Sequence, residues 1–364
     1  MLVLGLVTGQ VIVMDEVTGK PRWEVQAHPS MVQVAMPPNG RFVASVGFYD
    51  DAWKIWGAAS GEVHTVAATH DGTGSCICEV DFALTGRRVL EDRCPVIAHT
   101  AGLRAVAFSP CGQRLATRGS DGAVILWDAR TGEAEQRMKG MAGEASAIAF
   151  SADGARVASG SGNTSLDVFD ATTGALLRTI EQDFEQDEVL TCVSFSPTAL
   201  SILATAAEYP KIHVWDIDSG DMIREIAGCF CVAIFSPDGR TIATTSCVRE
   251  GEVQLMDAES GEMRVTMDGH GNTVNTASFS QDGSKLAAGG EDGFFTVWDS
   301  STGALLHALH IEDEVIDSLE WGRDWVRATQ TGVAFAMGHH PRLGAGSQVL
   351  ELEAGVVRMI LDRV

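Results

Sequence analysis

The chain has 364 residues, 45% of them hydrophobic, which is enough for a large buried core. Its 49 acidic residues against 26 basic ones give a formal net charge of -23. That balance argues against a nucleic-acid backbone or an anionic membrane as partner and favours basic ones. No apolar run approaches the ~20 residues that span a bilayer.

Residues 1–13 are apolar but lack a basic flank and are broken by Gly5, Thr8, Gly9 and Gln10, so they read as strand, turn, strand rather than as a leader. Residues 2–7, 11–15 and 22–26 are three predicted strands. Beyond them one pattern recurs: an apolar or aromatic residue ends a short strand at Met14-Asp15, Trp56-Gly57, Trp127-Asp128, Phe169-Asp170, Trp215-Asp216, Met256-Asp257 and Trp298-Asp299. Successive pairs stand about 42 residues apart, the spacing of a repeat architecture. The exception is the longer gap between Trp56 and Trp127. Repeats are expected to start near Met31, Leu103, Ala145, Val189, Cys229, Thr273 and Val315.

The clearest unit runs from His270 to His310. Residues 273–280 alternate apolar and polar side chains, as a strand does. Gln281-Asp282-Gly283 is a turn, residues 285–290 a second strand, Glu291-Asp292-Gly293 another turn and residues 294–298 a third strand. Ser301-Thr302-Gly303 leads into a fourth at 304–309. Such a small sheet cannot bury both faces alone; stacking copies around an axis buries them.

With Gly269-His270 at its start and Trp298-Asp299 at the end of its third strand, this unit resembles the repeat of the WD-repeat (WD40) β-propeller family. The resemblance implies an all-β fold, a single propeller of four-stranded antiparallel blades over residues 1–364. We expect eight blades, within a range of seven to nine, one of them degenerate near residues 70–98. There 76–82 and 87–90 read as strands and 95–98 as an edge; an insertion that lost its blade is the alternative. Residues 2–26 lack an innermost strand, and residues 356–361 are expected to supply it and close the ring. A piece of a longer array is the other reading.

The resemblance also implies a buried structural network of His, Asp, Ser or Thr, and Trp. His99, Thr117, Asp121 and Trp127 supply the full set, as do His28, Ser45, Asp50 and Trp56. His270, Asp292 and Trp298 match, but Ala288 replaces the hydroxyl and breaks that chain. Ser159, Thr205 and Ser246 keep the hydroxyl position alone. Buried imidazoles and carboxylates cost several kcal/mol unless paired, so these groups read as scaffold rather than as a catalytic pair.

No Walker A loop, nucleophile elbow, zinc-protease or kinase signature is present. Cys76-x-Cys78 and Cys229-x-Cys231 lack the knuckle spacing of zinc sites, and His339-His340 has no acidic or cysteine neighbour at ligand spacing. No catalytic residue, cofactor or metal is therefore expected. The eight cysteines, which also include Cys94, Cys111, Cys192 and Cys247, read as reduced thiols of an intracellular protein, cytoplasmic or nuclear.

In a propeller of this type, the loops between second and third strands share one face with the loops between blades. That face would carry Phe48, Tyr49, Asp51, Trp53, Glu185, Asp187, Glu208, Tyr209, Glu250, Glu291, Phe294 and Asp313. Carboxylates interleaved with aromatics suit a basic peptide. The expected function is a non-enzymatic protein-interaction scaffold, a monomer within a multiprotein complex. The alternative is the sensor or substrate-receptor portion of a larger ATPase, kinase or ubiquitin-ligase assembly. An enzyme would need converging groups on innermost strands, where Glu79, Asp81, Asp317 and Glu320 are the scattered candidates.

Overall fold

A computed structural model of the chain describes residues 1–14, 20–37, 39–48, 52–68, 99, 102–140, 147–160, 165–181, 190–198, 201–206, 211–227, 230–246, 251–311, 314–321, 348–350 and 357–361. These residues contain strands and turns and no helix. The strands form six four-stranded antiparallel sheets and a seventh sheet with two further strands.

From inner to outer strand, blade 1 is Ile316–Trp321, Leu2–Leu6, Gln10–Met14 and Pro21–Gln26. Blade 2 is Val32–Ala35, Phe42–Gly47, Ala52–Gly57 and Val63–Ala68, and blade 3 is Leu103–Phe108, Arg114–Gly119, Ala123–Asp128 and Ala134–Lys139. Blade 4 is Ile148–Phe150, Arg156–Gly160, Leu166–Asp170 and Leu176–Ile180, and blade 5 is Leu190–Phe195, Ser201–Ala206, Lys211–Asp216 and Met222–Ala227. Blade 6 is Phe230–Phe235, Thr241–Ser246, Val253–Asp257 and Met263–Met267. Blade 7 is Val274–Phe279, Lys285–Gly290, Phe294–Asp299 and Leu305–Ile311, and Val357–Leu361 and Gln348–Leu350 continue outward from it.

The core lies between blades rather than inside them. Each apolar cluster draws from two neighbours: Trp53 and Ile55 of blade 2 join Leu103 and Trp127 of blade 3, and Phe169 of blade 4 joins Leu126 and Met138 of blade 3. The same holds around the circle, ending with Phe295 and Val297 of blade 7 against Leu4 and Ile316 of blade 1. A blade alone leaves both faces wet; the closed ring buries them.

Two expectations are corrected here. The ring has seven seams and not the eight blades expected: blades 2 and 3, which flank residues 69–98, pack directly on each other. The degenerate-blade reading of 70–98 lies outside the described residues; among the described residues no sheet stands between its flanks. The strand that completes blade 1 is Ile316–Trp321, paired antiparallel with Leu2–Leu6 in the register Leu2 with Trp321 and Leu4 with Leu319. The strand expected to close the ring, Val357–Leu361, pairs instead with the outer strand of blade 7, Leu309 opposite Met359. Both segments are apolar enough to pair; what separates them is that only Ile316–Trp321 seats Leu319 and Trp321 in the seam between blades 7 and 1.

The recurrent aspartates have a local reason. Asp128 Oδ1 accepts the backbone N–H groups of Arg130 at 2.8 Å and Thr131 at 2.7 Å, closing the turn to the outer strand. Asp170, Asp216, Asp257 and Asp299 do the same in their blades. These bonds to the ionised carboxylate hold all five below the usual Asp range; at Asp128 they outweigh burial, the largest single influence, which acts the other way.

Candidate functional site

Turns between second and third strands lie on one side of the ring with the inter-blade loops; we call this the upper side. Thr8 in the second-to-third turn of blade 1 donates to Glu314, in the loop entering the same blade, at 3.0 Å. The turns between inner and second strands and between third and outer strands form the lower side.

Inner strands enter from the upper side through a recurring β-bulge. The register slips between Leu103 and Ala105, Leu190 and Cys192, Phe230 and Val232, and Val274 and Thr276. A bulge re-aims the extra residue. In blade 3 that residue is Arg104, whose Nε donates to Ser120 Oγ at 2.8 Å and whose guanidinium lies 6.0 Å from the Phe48 ring centroid. A cation over an aromatic face thus joins the upper turns of blades 2 and 3.

Beneath this surface lie the histidine networks. His99, 1% exposed, contacts Asp121 Oδ1 through Nδ1 at 3.3 Å and Thr117 Oγ1 through Nε2 at 2.8 Å. Trp127 Nε1 donates to the same Oγ1 at 2.7 Å. An ionised carboxylate only accepts, so Nδ1 carries the proton and Nε2 receives the Thr117 hydroxyl. Burial lowers the His99 pKa, against the opposing pull of Asp121. In blade 2, Ser45 Oγ lies 2.9 Å from His28 Nε2 and accepts the Trp56 Nε1–H at 2.9 Å; Asp50 lies outside the described residues.

Blade 7 departs from expectation. Ala288 does not break the chain, because Thr296, paired with Ala288 on the next strand, places its Oγ1 2.7 Å from His270 Nε2. His270 Nδ1 donates to Asp292 Oδ1 at 3.0 Å. Trp298, left without the usual hydroxyl, donates to the Asp268 carbonyl at 3.4 Å. Burial pushes the Asp292 carboxyl up, but its bonds from His270 and from the backbone N–H groups of Gly271 and Phe294 prevail and hold it below the usual range. In blade 4 the Ser159 hydroxyl takes another use: Arg118 of blade 3, 1% exposed, donates to it through Nε at 2.9 Å. Burial pushes the Arg118 pKa down to about 10.

Of the side chains expected on the upper face, Glu291 is exposed, and Phe294 is half-buried and stacked on His310 at 4.6 Å. Phe48 is half-buried beside Arg104. Trp53 does not belong to this face: it is 0% exposed and packs against Trp127 in the seam between blades 2 and 3. Its place in the strand Ala52–Gly57 turns the indole inward, a detail the local composition hides. Tyr49, Asp51, Glu185, Asp187, Glu208, Tyr209, Glu250 and Asp313 lie outside the described residues.

On the inner strand of blade 1, burial pushes the Asp317 carboxyl up to about 6 and that of Glu320 up to about 7. Glu79 and Asp81 lie outside the described residues, so no converging pair is placed. Among the described residues no three His, Cys, Asp or Glu side chains gather as metal ligands, and no helix is long and apolar enough to cross a membrane. Of the cysteines, Cys111 is exposed and Cys192 half-buried, both as free thiols.

Residues 92–128 and 261–299 match the profile of the family described as WD domain, G-beta repeat. These are blades 3 and 7, whose third strands end in Trp-Asp and whose histidines meet both a carboxylate and a hydroxyl. Autophagy-related protein 16 of Arabidopsis thaliana is 24% identical over 240 residues, 65% of this chain and 46% of that protein. Nuclear distribution protein PAC1 of Coccidioides posadasii is 28% identical over 253 residues, 61% of this chain and 53% of its own length. The Periodic tryptophan protein 2 homolog of Dictyostelium discoideum is 25% identical over 208 residues, 56% of this chain and 22% of that protein. The chain thus spans about half, or less, of the length of these relatives. The two matched repeats and the ring of four-stranded blades together give the chain WD-type repeats on a β-propeller fold, similar to the WD-repeat proteins. Propellers of this family are in general protein-interaction scaffolds.

Proposed function

We propose that this chain is a non-enzymatic scaffold that docks basic or peptide-like segments of other proteins on its upper face, as one propeller domain over residues 1–364 acting as a monomer within a larger intracellular complex. The observation that carries this reading is the placement of exposed carboxylates beside half-buried aromatic rings on the upper turns. Exposed Glu291 stands three residues from Phe294 with its stacked His310, and in the flanking loops lie exposed Asp268 and half-buried Glu314, which accepts from Thr8. Asp292, which accepts from buried His270, also accepts the Phe294 backbone N–H, so this turn is ordered before a partner arrives, which lowers the cost of binding. The net charge of -23 steers basic segments toward the protein.

The test is affinity purification with quantitative mass spectrometry, comparing the wild type with a Glu291→Lys/Phe294→Ala variant of unchanged thermal stability. The reading expects partners to be lost from the variant and recovered less well at high salt. Equal recovery of the same partners would refute the upper face as the docking surface.

A further inference from the structure

Four of the seven outer strands carry a side chain that latches the next blade, and at the seam between blades 6 and 7 the equivalent position lacks a donor. Four register-equivalent residues reach over the seam: Trp23 opposite Val13, Gln136 opposite Leu126, Arg178 opposite Val168 and Arg224 opposite Val214. Each donates to backbone carbonyls in the lower turn of the following blade. Trp23 Nε1 reaches Ala58 at 3.0 Å and Gln136 Nε2 reaches Thr172 at 2.9 Å. Arg178 spreads its fork over Ser219 at 3.0 Å and Asp218 at 2.6 Å. Arg224 does the same over Ser260 at 2.8 Å and over Glu259. The receiving turn places Gly220 at a φ of 82°, which disfavours any side chain, and a Cβ there would also stand 2.5 Å from the Arg178 guanidinium.

Blade 6 places Val265 in this register, opposite Leu255. Val265 lies against Gly303 as its counterparts lie against their glycines, but it has no donor. The carbonyls of Ser301 and Thr302 correspond to those of Asp218 and Ser219, and of Glu259 and Ser260. They receive no hydrogen bond among the described residues. A cleft of about 500 Å³ opens at this seam, lined by Leu255, Val265 and Phe279 and by Asp238, Asp282 and Ser301. Asp238 and Asp282 each bind a turn serine hydroxyl through Oδ1, at 2.6 and 2.7 Å, and accept a backbone N–H there. These bonds keep both carboxyls below the usual range; at Asp282 they overcome burial, the largest single influence. Arg264, also at the cleft, is paired with Asp257 of its own blade.

We propose that this cleft receives an arginine side chain from a partner protein, whose guanidinium occupies the Ser301 and Thr302 carbonyls as Arg224 occupies those of Glu259 and Ser260 within the chain. A planar fork offers two N–H groups to two consecutive carbonyls, which a lysine ammonium cannot match. The methylene stem lies along Leu255, Val265 and Phe279, and the two aspartates supply the opposing charge. The site is on the lower side, so it stands or falls independently of the upper face.

The test titrates N-acetyl-arginine amide into isotope-labelled protein and follows the backbone amide resonances of Ser301 and Gly303, with the lysine and citrulline amides as controls. The site predicts saturable shifts with the arginine compound and at least fivefold weaker binding of both controls. Val265→Arg supplies the guanidinium within the chain and should abolish saturation while keeping the wild-type circular dichroism. Asp238→Asn/Asp282→Asn should weaken binding severalfold. Shifts that never saturate, that lysine reproduces, or that persist unchanged in Val265→Arg would overturn the proposal. If Val265→Arg does not fold, unchanged affinity in the double asparagine variant overturns it.

Discussion

The rings of Trp53 and Trp127 meet with centroids 5.0 Å apart and planes tilted by 56°, across the seam between blades 2 and 3. The two residues belong to neighbouring sheets although residues 69–98 separate those sheets in sequence. Trp53 is wholly buried, so Trp53→Ala should cost about 3–5 kcal/mol, the usual penalty for emptying a large aromatic site. Urea unfolding of the variant measures it. A loss below about 1 kcal/mol would mean that the two indoles do not share a core.

Thr117 is the hub of the most complete network, receiving the Trp127 indole N–H and meeting His99. Thr117→Val keeps the shape and removes the hydroxyl, leaving two buried polar groups unsatisfied. A destabilisation of about 2–6 kcal/mol is expected, from one to three for each orphaned group, and Thr117→Ser should restore most of it. Thermal melts of the three proteins distinguish this from simple packing loss, which the valine would not produce.

Asp317 and Glu320 give stability a pH dependence of definite sign. Their folded pKa values, about 6 and about 7, lie above the ordinary 3.8 and 4.5. The folded state therefore holds protons that the unfolded chain has released. Their contribution is complete below the ordinary values and disappears as pH rises through about 6 to 7. The urea midpoint of the wild type should fall over that interval, and Asp317→Asn/Glu320→Gln should flatten the fall and be the more stable protein at pH 8. A slope that survives both substitutions would assign it to other groups.

Arg178 and Gly220 form one latch between blades 4 and 5. Gly220 has φ of 82°, and any Cβ there meets the guanidinium. Gly220→Ala combines backbone strain of about 1–3 kcal/mol with loss of the Arg178 bonds. Adding Arg178→Ala to it should cost little more, whereas in the wild-type background Arg178→Ala should be clearly destabilising. A double-mutant cycle measures that coupling; additive effects would mean that the two positions do not act together.

Much of this fold was legible because its units repeat. The Trp-Asp endings, the glycine turns and the inner strands near Leu103, Val189 and Thr273 all follow from local patterning, and the structure begins those strands at Leu103, Leu190 and Val274. What escaped depends on partners in another blade or strand. Thr296 replaces a missing hydroxyl only because strand register sets it opposite Ala288. Spacing alone suggested a blade within residues 70–98, whereas the packing of Trp53 on Trp127 joins the flanking sheets directly. Val357–Leu361 is the more apolar of the two candidate segments, yet it is Ile316–Trp321 whose Leu319 and Trp321 lie in the seam. The latch side chains follow no single residue type, since Trp23, Gln136 and the two arginines Arg178 and Arg224 do one job with different donors.

Closure of the ring by Ile316–Trp321 underlies the whole arrangement, and cross-linking tests it most directly. In a background without native cysteines, Val3→Cys can be paired with Glu320→Cys, its partner in the register, or with Arg358→Cys, which pairs with His310 on the far side of blade 7. Under mild oxidation the first pair should form an intramolecular disulfide in the folded protein and the second should not. Cross-linking of Val3→Cys to Arg358→Cys, with none to Glu320→Cys, would contradict the closed seven-bladed ring.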